Sequence, residues 1–468
     1  MTSIDELPIP VRAVPRSGGV PHESGRLADV APIPADRPNE LAVVGAGARG
    51  DTYAAWAARH PDEMRVVAVA EPDDARRERF ATEHSLAGAA VARSWEELAD
   101  RDRVADLVAV ATQDDLHVEP AEVFAALGHH LLLEKPIAPD PDGVERVARA
   151  VAASGVRVHV AHVLRHTRLT TAVRAAIAEG RIGEVVAVQR LEPVGYWHFA
   201  HSYVRGNWRN ESLSSPVLLA KSCHDIDWIN HIVGGGCRSV ASFGALRHFR
   251  HAANPAAAGD ATRCLDCAHE PDCAWSAASF YLPLIDNGWT GFPLTALTTQ
   301  PSPESVREAL ADGPYGRCVH ECDNDVPDTQ SVLLEFDGGV QASFTLSAFT
   351  EARLRETRIL GTEGELRADG ASFEIFRFLD DRTSRITPNG ADATSRDLLG
   401  HGGGDDGLMR AVVDDLRDPD PTPSRVAFDE AIDAHRIVFA AERARRQRRV
   451  VDMAPTTLAP PSPEEAAR

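Results

Sequence analysis

From Leu41 to Val163 the chain alternates short, continuous apolar runs with stretches of helical period. LAVVGAG opens at Leu41, and a helical stretch follows through Ala58. The next apolar runs are VVAVAEP (66–72), ADLVAVAT (105–112), HHLLLEKP (129–136) and VRVHVAHV (156–163). Helices are predicted between them at 118–128 and 140–153, and one opens on Ser94 as N-cap. Strands that are apolar on both faces and separated by helices imply a parallel sheet covered on both sides. This predicts an α/β domain over 40–164.

After about residue 165 the pattern changes. A helix at 168–179 leads into a longer strand, EVVAVQRLEPV (184–194). SVLLEFDGGVQASFTLSAF (331–349) reads as a hairpin turning at Asp337, Gly338 and Gly339. RETRILGTEGELRAD (355–369) gives two more strands, SFEIFRF (372–378) another, and helices near 405–417 and 428–447 close the pattern. These are antiparallel signals of an α+β domain over 165–453, interrupted by an irregular Pro- and Cys-rich insertion at about 247–327. Residues 1–39 and 454–468 show no period and read as a flexible leader and tail.

Composition narrows the partners. The 468 residues are 43% hydrophobic and 25% charged, which is globular. A formal net charge of −21 repels nucleic acid and anionic membranes and leaves a small molecule as the expected partner. With no membrane-length apolar run and no secretory signal at the start, the expected location is cytoplasmic. Five of the seven cysteines crowd into one segment, as Cys264-x2-Cys267-x5-Cys273 and Cys318-x3-Cys322. Spacing makes Cys264, Cys267, Cys273 and Cys318 a candidate structural zinc set, with Cys322 as rival fourth ligand. Free thiols in a packed loop are the alternative, and an iron–sulfur cluster a more distant one.

Gly45, Gly47 and Gly50 form G-x-G-x-x-G between the first strand and its helix, and Glu71 ends the second strand 21 residues past Gly50. This is the Rossmann dinucleotide fingerprint: a tight turn, close approach to a pyrophosphate, and close packing of helix on sheet. Ala48 and Arg49 lie where the helix N-terminus meets the phosphates. Glu71 would accept from the adenosine ribose hydroxyls, which favours NAD, and the nearby Arg76 and Arg77 keep NADP open. The segment GYWHFAHSYVRGNWRNE (195–211) reads as a loop walling a polar-ligand pocket, with Tyr196, His198, His201, Arg205 and Trp208 as substrate candidates. In HGGGDDG (401–407), His401 and Asp405 either reach that pocket or only set a turn. In AKSCHDIDWINHIVG, read as a helix burying Ile226, Ile229 and Val233, His224, Asp227 and His231 share one face.

The glycine fingerprint together with Glu134-Lys135-Pro136 resembles the Gfo/Idh/MocA family of glucose-fructose oxidoreductases and inositol dehydrogenases, over roughly 41–453. Thr112 and His117 look like that family's T-P-x-x-x-H loop, with Gln113 replacing the proline, and 165–185 is similar to the segment crossing into its second domain. The resemblance implies a Rossmann domain followed by an open antiparallel sheet covered by helices on one face, and a homodimer or homotetramer built on that sheet. It places Thr112, His117, Glu134 and Lys135 near the cofactor, with Lys135 orienting a substrate hydroxyl and stabilising an alkoxide. His224 and Asp227 fit the family's H-x-x-D, making His224 the expected acid/base. The aspartate normally four residues earlier is Ala220, and the adjacent Lys221 joins Asp227 as a substrate candidate. The expected activity is hydride transfer between NAD(P) and a secondary alcohol of a sugar, polyol or related cyclic substrate. Two rivals stand: a catalytically silent NAD- or sugar-binding regulatory protein of the same fold, and zinc-alcohol-dehydrogenase-like chemistry.

Overall fold

The computed structural model describes residues 32–101, 103–388 and 401–453. Most of the expected leader and the whole expected tail lie outside the described residues. The chain is already anchored at Ile33, which is buried and donates to Leu416 O at 2.9 Å.

Six parallel strands form the first sheet: β1 Asn39–Val44, β2 Met64–Ala70, β3 Val91–Ala92, β4 Leu107–Val110, β5 His130–Leu133 and β6 Val158–Val160. Their order is β3-β2-β1-β4-β5-β6, the doubly wound Rossmann arrangement. Alternation along β1 explains why the sheet is apolar throughout. Leu41 and Val43 pack with Tyr53 and Trp56 of the Ala48–Arg59 helix and with Leu408 and Val412 of the Gly404–Arg417 helix. Ala42 and Val44 point the other way, into a core with Phe124 and Val147.

The second sheet has nine strands: β7 Val185–Pro193, β8 Cys237–Ala245, β9 Thr329–Phe336, β10 Gln341–Ser347, β11 Glu356–Gly361, β12 Gly364–Ala368, β13 Phe373–Arg377, β14 Arg382–Ile386 and β15 Val451–Asp452. The order is β14-β13-β12-β11-β7-β10-β9-β8-β15. It is antiparallel as expected except where β7 and β10 pair in parallel. Those two strands are joined by a long crossover rather than a hairpin, which permits the parallel pairing. The β9–β10 hairpin turns at Asp337–Gly339, where Gly338 and Gly339 take φ of 74° and 82°. Alternate residues of β9 are buried, and this inner face meets the Cys223–Val233 and Thr422–Gln447 helices in one core.

Two expectations change. Segment 195–211 is largely helical rather than a loop, with an α turn at Tyr196–Phe199, a π-helical turn at Ala200–Arg205 and a 3-10 turn at Asn207–Arg209. The insertion is not structureless. Helices Ala277–Asp286 and Pro303–Asp312, N-capped by Ser276 and Ser302, enclose a small core of Tyr281, Ile285, Leu294, Val306 and Leu310. No helix among the described residues is long and apolar enough to cross a membrane.

Candidate active site

The carboxyl ends of β1, β4 and β5 open onto the second domain, and the candidate residues gather there. The glycine loop is shaped for close approach. Gly45 has φ of +96°, and a Cβ there would lie 2.6 Å from Ala111 O. A Cβ on Gly50 would lie 2.1 Å from Gly45 O, whereas Gly47 faces open space. Gly47 then N-caps the Ala48–Arg59 helix with no side-chain bond to its first amides, so they are free for an anion. Glu71 is buried; its Oε2 accepts from Ala46 N at 2.8 Å and its Oε1 from Asp73 N at 3.0 Å. Each oxygen keeps a further lone pair for a ribose hydroxyl. These features fit a dinucleotide. Arg77 turns back onto Glu71 O (2.7 Å) and Asp74, whereas Arg76 is exposed.

Glu134 is buried and accepts from Tyr53 Oη and from Arg49 Nε (2.5 Å). Burial alone would raise its pKa; Arg49 and then Lys135 outweigh that and hold it below the usual range. Arg49 also donates to Asp405 at 2.7 Å, so it ties the loop after β1 to the returning Gly404–Arg417 helix. His117 is wholly buried, its Nδ1 2.7 Å from Pro136 O and its Nε2 3.3 Å from Thr112 O. Both residues were expected at the cofactor. In the structure they also flank Lys135, whose backbone N donates to Glu134 Oε2 at 3.1 Å.

Lys135 precedes a cis peptide to Pro136 and donates from Nζ to Ala220 O at 2.7 Å. Among the described residues it makes no ion pair within 4.0 Å. The carbonyl of Ala220 thus receives the lysine where the family pattern has an aspartate. One turn on, the Nδ1 of the buried His224 has no hydrogen-bond partner among the described residues. Burial first, and then Lys135, His401 and His162, push its pKa well below the ordinary value, so the ring is neutral. His401 and His162 stand 5.8 and 5.9 Å from it, ring to ring.

The other candidate side chains also have partners within the protein. Asp227 is bonded to both Nε (2.7 Å) and Nη2 (2.5 Å) of Arg165, which also reaches Glu430. His231 pairs with the same Glu430 at 3.0 Å. Both serve the helix interface, because a buried carboxylate needs a partner. His201 bonds Tyr281 Oη at 2.7 Å and stacks on Tyr315, within the insertion's core. Arg205 donates to Arg317 O and Trp275 O, and Tyr196 packs against Trp275. Trp208 Nε1 points to Asp114 at 3.5 Å. His201, Arg205 and Tyr196 thus contact the insertion, whereas Trp208 reaches the first domain. His198 remains near the cleft, its pKa lowered by burial and then by Lys221.

The cysteines do not form the expected zinc centre. Cys264, Cys267, Cys273 and Cys318 line one small cavity, but among the described residues no three His, Cys, Asp or Glu side chains are placed to hold a metal. All seven cysteines are free thiols. Cys264 Sγ accepts from Ala277 N (3.4 Å) and faces Arg205 at 3.6 Å, while Cys322 Sγ points to Cys318 O. The insertion is held together by its own core and its arginine clamps.

Several site residues escaped the sequence reading. His162, at the end of the apolar run of β6, was legible by position as a strand-end residue. Glu192, Asp225, Arg190 and Arg355 were not, since they meet only when β7, β11 and the Cys223–Val233 helix pack together. Lys221 Nζ lies 3.3 Å from Glu192 and joins that group.

Comparison with known proteins agrees with this geometry. The model of an oxidoreductase family with an NAD-binding Rossmann fold, GFO_IDH_MocA, matches residues 40–162, and the model of its C-terminal alpha/beta domain matches 174–453. The chain is 24% identical to the putative oxidoreductase YteT of Bacillus subtilis over 270 residues, 56% of this chain and 60% of that one. It is 32% identical to the inositol 2-dehydrogenase of Rhizobium meliloti over 206 residues, 44% of this chain and 58% of that one. The match thus spans no more than about 60% of these relatives' length. A levoglucosan dehydrogenase solved with NADH and L-sorbose shares the fold, with a TM-score of 0.63 at 16% identity, covering 89% of this chain and 99% of that one.

Proposed function

We propose, for a chain that belongs to the Gfo/Idh/MocA oxidoreductase family, that it catalyses NAD(H)-dependent interconversion of a secondary alcohol and a ketone on a sugar, polyol or related cyclic substrate. The observation that carries this reading is the convergence of the glycine cradle, Lys135 and the neutral His224, its Nδ1 unpartnered among the described residues, at one strand edge. The bound nicotinamide supplies the hydride acceptor in one direction and the donor in the other. Lys135, anchored on Ala220 O, presents a cation to the substrate oxygen and stabilises it as its proton leaves. His224 takes that proton at a ring nitrogen. Glu134, Arg49 and His117 hold the lysine's backbone in place. Intact Lys135 and His224 favour this reading over a silent binding protein. A cytoplasmic location belongs to the same reading.

Cofactor preference is the first test. Titration followed by nicotinamide fluorescence is expected to show NADH binding at least about tenfold tighter than NADPH, because a 2′-phosphate would face the buried Glu71 carboxylate, and like charges so placed are costly. The reverse order would assign NADP and implicate Arg76. No response to either would remove the enzymatic reading.

Association of copies is part of the proposal. The outer face of the second sheet exposes Phe243 and Leu333 on β8 and β9. Apolar side chains of this size on neighbouring strands suit burial against a second copy. Light scattering is expected to give a dimer or tetramer, and a monomer at micromolar concentration would end that part of the reading.

A further inference from the structure

We infer that the substrate carries an anionic group, a carboxylate in the simplest case, received by the guanidinium of Arg355. The inference rests on the oxidoreductase reading above and narrows its substrate class from neutral sugars and polyols to sugar acids.

Arg355 stands just before β11 and is held at one atom. Its Nε lies 3.0 Å from Asp225 Oδ1 and 2.7 Å from Glu192 Oε2. Neither Nη donates to any acceptor among the described residues, so the two-pronged end of the guanidinium has no protein partner. That end is the part of an arginine that matches a carboxylate, two parallel N–H groups for two oxygens. The side chain is 14% exposed, sheltered from bulk solvent but open to a cavity. The other cations nearby are engaged. Arg190 donates to Asp225 (2.8 Å) and Thr357 (2.8 Å) and lies 4.1 Å from the centre of the Trp228 ring. Lys221 is 3.3 Å from Glu192.

The charge count points the same way. Lys221, Arg190 and Arg355 share two carboxylates, Glu192 and Asp225, leaving one buried positive charge in excess. Lys135 adds a second cation whose partner is a neutral carbonyl. An unmatched buried cation is unfavourable in the empty site and is compensated when an anion arrives. The lowered pKa values of His198 and His224, to which Lys221, Lys135 and Arg355 contribute after burial, register the same positive field.

Position completes the argument. Arg355 and His401 line one recess, with Thr167, Thr170 and Trp228 on its walls. The His401 ring is 5.8 Å from that of His224. Arg355 is also among the charges that bear on His224, so an anion held on it lies within electrostatic reach of the acid/base.

The test is calorimetry on protein saturated with NADH, using matched pairs: D-glucose with D-glucuronate, D-galactose with D-galacturonate, and D-glucitol with D-gluconate. At least one acid is expected to bind ten times or more tightly than its neutral partner, with the preference shrinking as salt is raised. Arg355→Lys keeps the charge beside Asp225 and Glu192 but removes the fork. It is expected to cost the acid tenfold or more while leaving the neutral partner and NADH affinity unchanged. Neutral partners binding as tightly as the acids, no saturable binding by any acid, or equal loss of both in the variant would each overturn the inference. Failure of NADH itself to bind would count against the oxidoreductase reading instead, so the two failures are distinguishable.

Discussion

Replacing Lys135 with alanine lowers kcat/KM by about a thousandfold, the scale of losing a positioned proton-transfer or oxyanion-stabilising group, and leaves NADH affinity near that of the unsubstituted protein. The only hydrogen bond of the lysine side chain among the described residues is to Ala220 O, so its removal strands one carbonyl and no buried carboxylate. The glycine cradle and Glu71 are built from other elements and keep their geometry. A structural role would look different, with cofactor affinity and turnover falling together. Steady-state kinetics on the best substrate found, beside an NADH titration of the same preparation, separates the two. Turnover unchanged in Lys135→Ala would sink the mechanism.

Acidification from pH 6.5 toward pH 4.5 destabilises the fold steeply. Burial first, and for His130 also Arg157, pushes the pKa of His130, His166 and His435 down to about 4. In two of them a ring nitrogen accepts a backbone N–H, His130 Nδ1 from Arg157 and His435 Nε2 from Ile137, each at 3.0 Å. Protonation abolishes that acceptor. The unfolded chain takes up these protons near pH 6.5 and the folded chain does not, so the stabilisation is complete above that pH and is lost as pH falls toward 4. Each ring costs about 1.4 kcal/mol per pH unit in this window, so three cost roughly 4 kcal/mol per unit, against a total stability of about 5–15 kcal/mol. Depressed carboxylates such as Asp405, at about 2, act below the window. Urea unfolding at pH 7.5, 6.5 and 5.5 checks this, and a midpoint that stays level across the series contradicts it.

The two predictions draw on different kinds of information. Lys135 was visible as a residue: a cation before proline at the end of an apolar strand, following a glycine loop with its acid at the right distance. The buried histidines were visible only as letters. Nothing local distinguishes His435, which caps a backbone amide 298 residues away, from His251, whose side chain is 84% exposed.

The same division runs through the fold. The parallel sheet was legible because each strand declares itself by a continuous apolar run and each turn by its glycine, and both are properties of neighbours in sequence. The β9–β10 hairpin was legible for the same reason. The parallel pairing of β7 with β10, the short strands β3 and β15, and the small core of the insertion were not, since they depend on which distant surfaces meet. The cysteine spacing matched a zinc set, yet side-chain direction decides ligation, and the thiols are not aimed at one point. The cluster of Glu192, Asp225, Lys221, Arg190 and Arg355 comes from β7, the start of a helix and the approach to β11. Sequence alone determined the dinucleotide cradle and the lysine beside it, because backbone conformation and period are set locally. The tertiary structure decided which charges are matched and which stay open to a ligand, because electrostatic pairing acts across space and is blind to chain order.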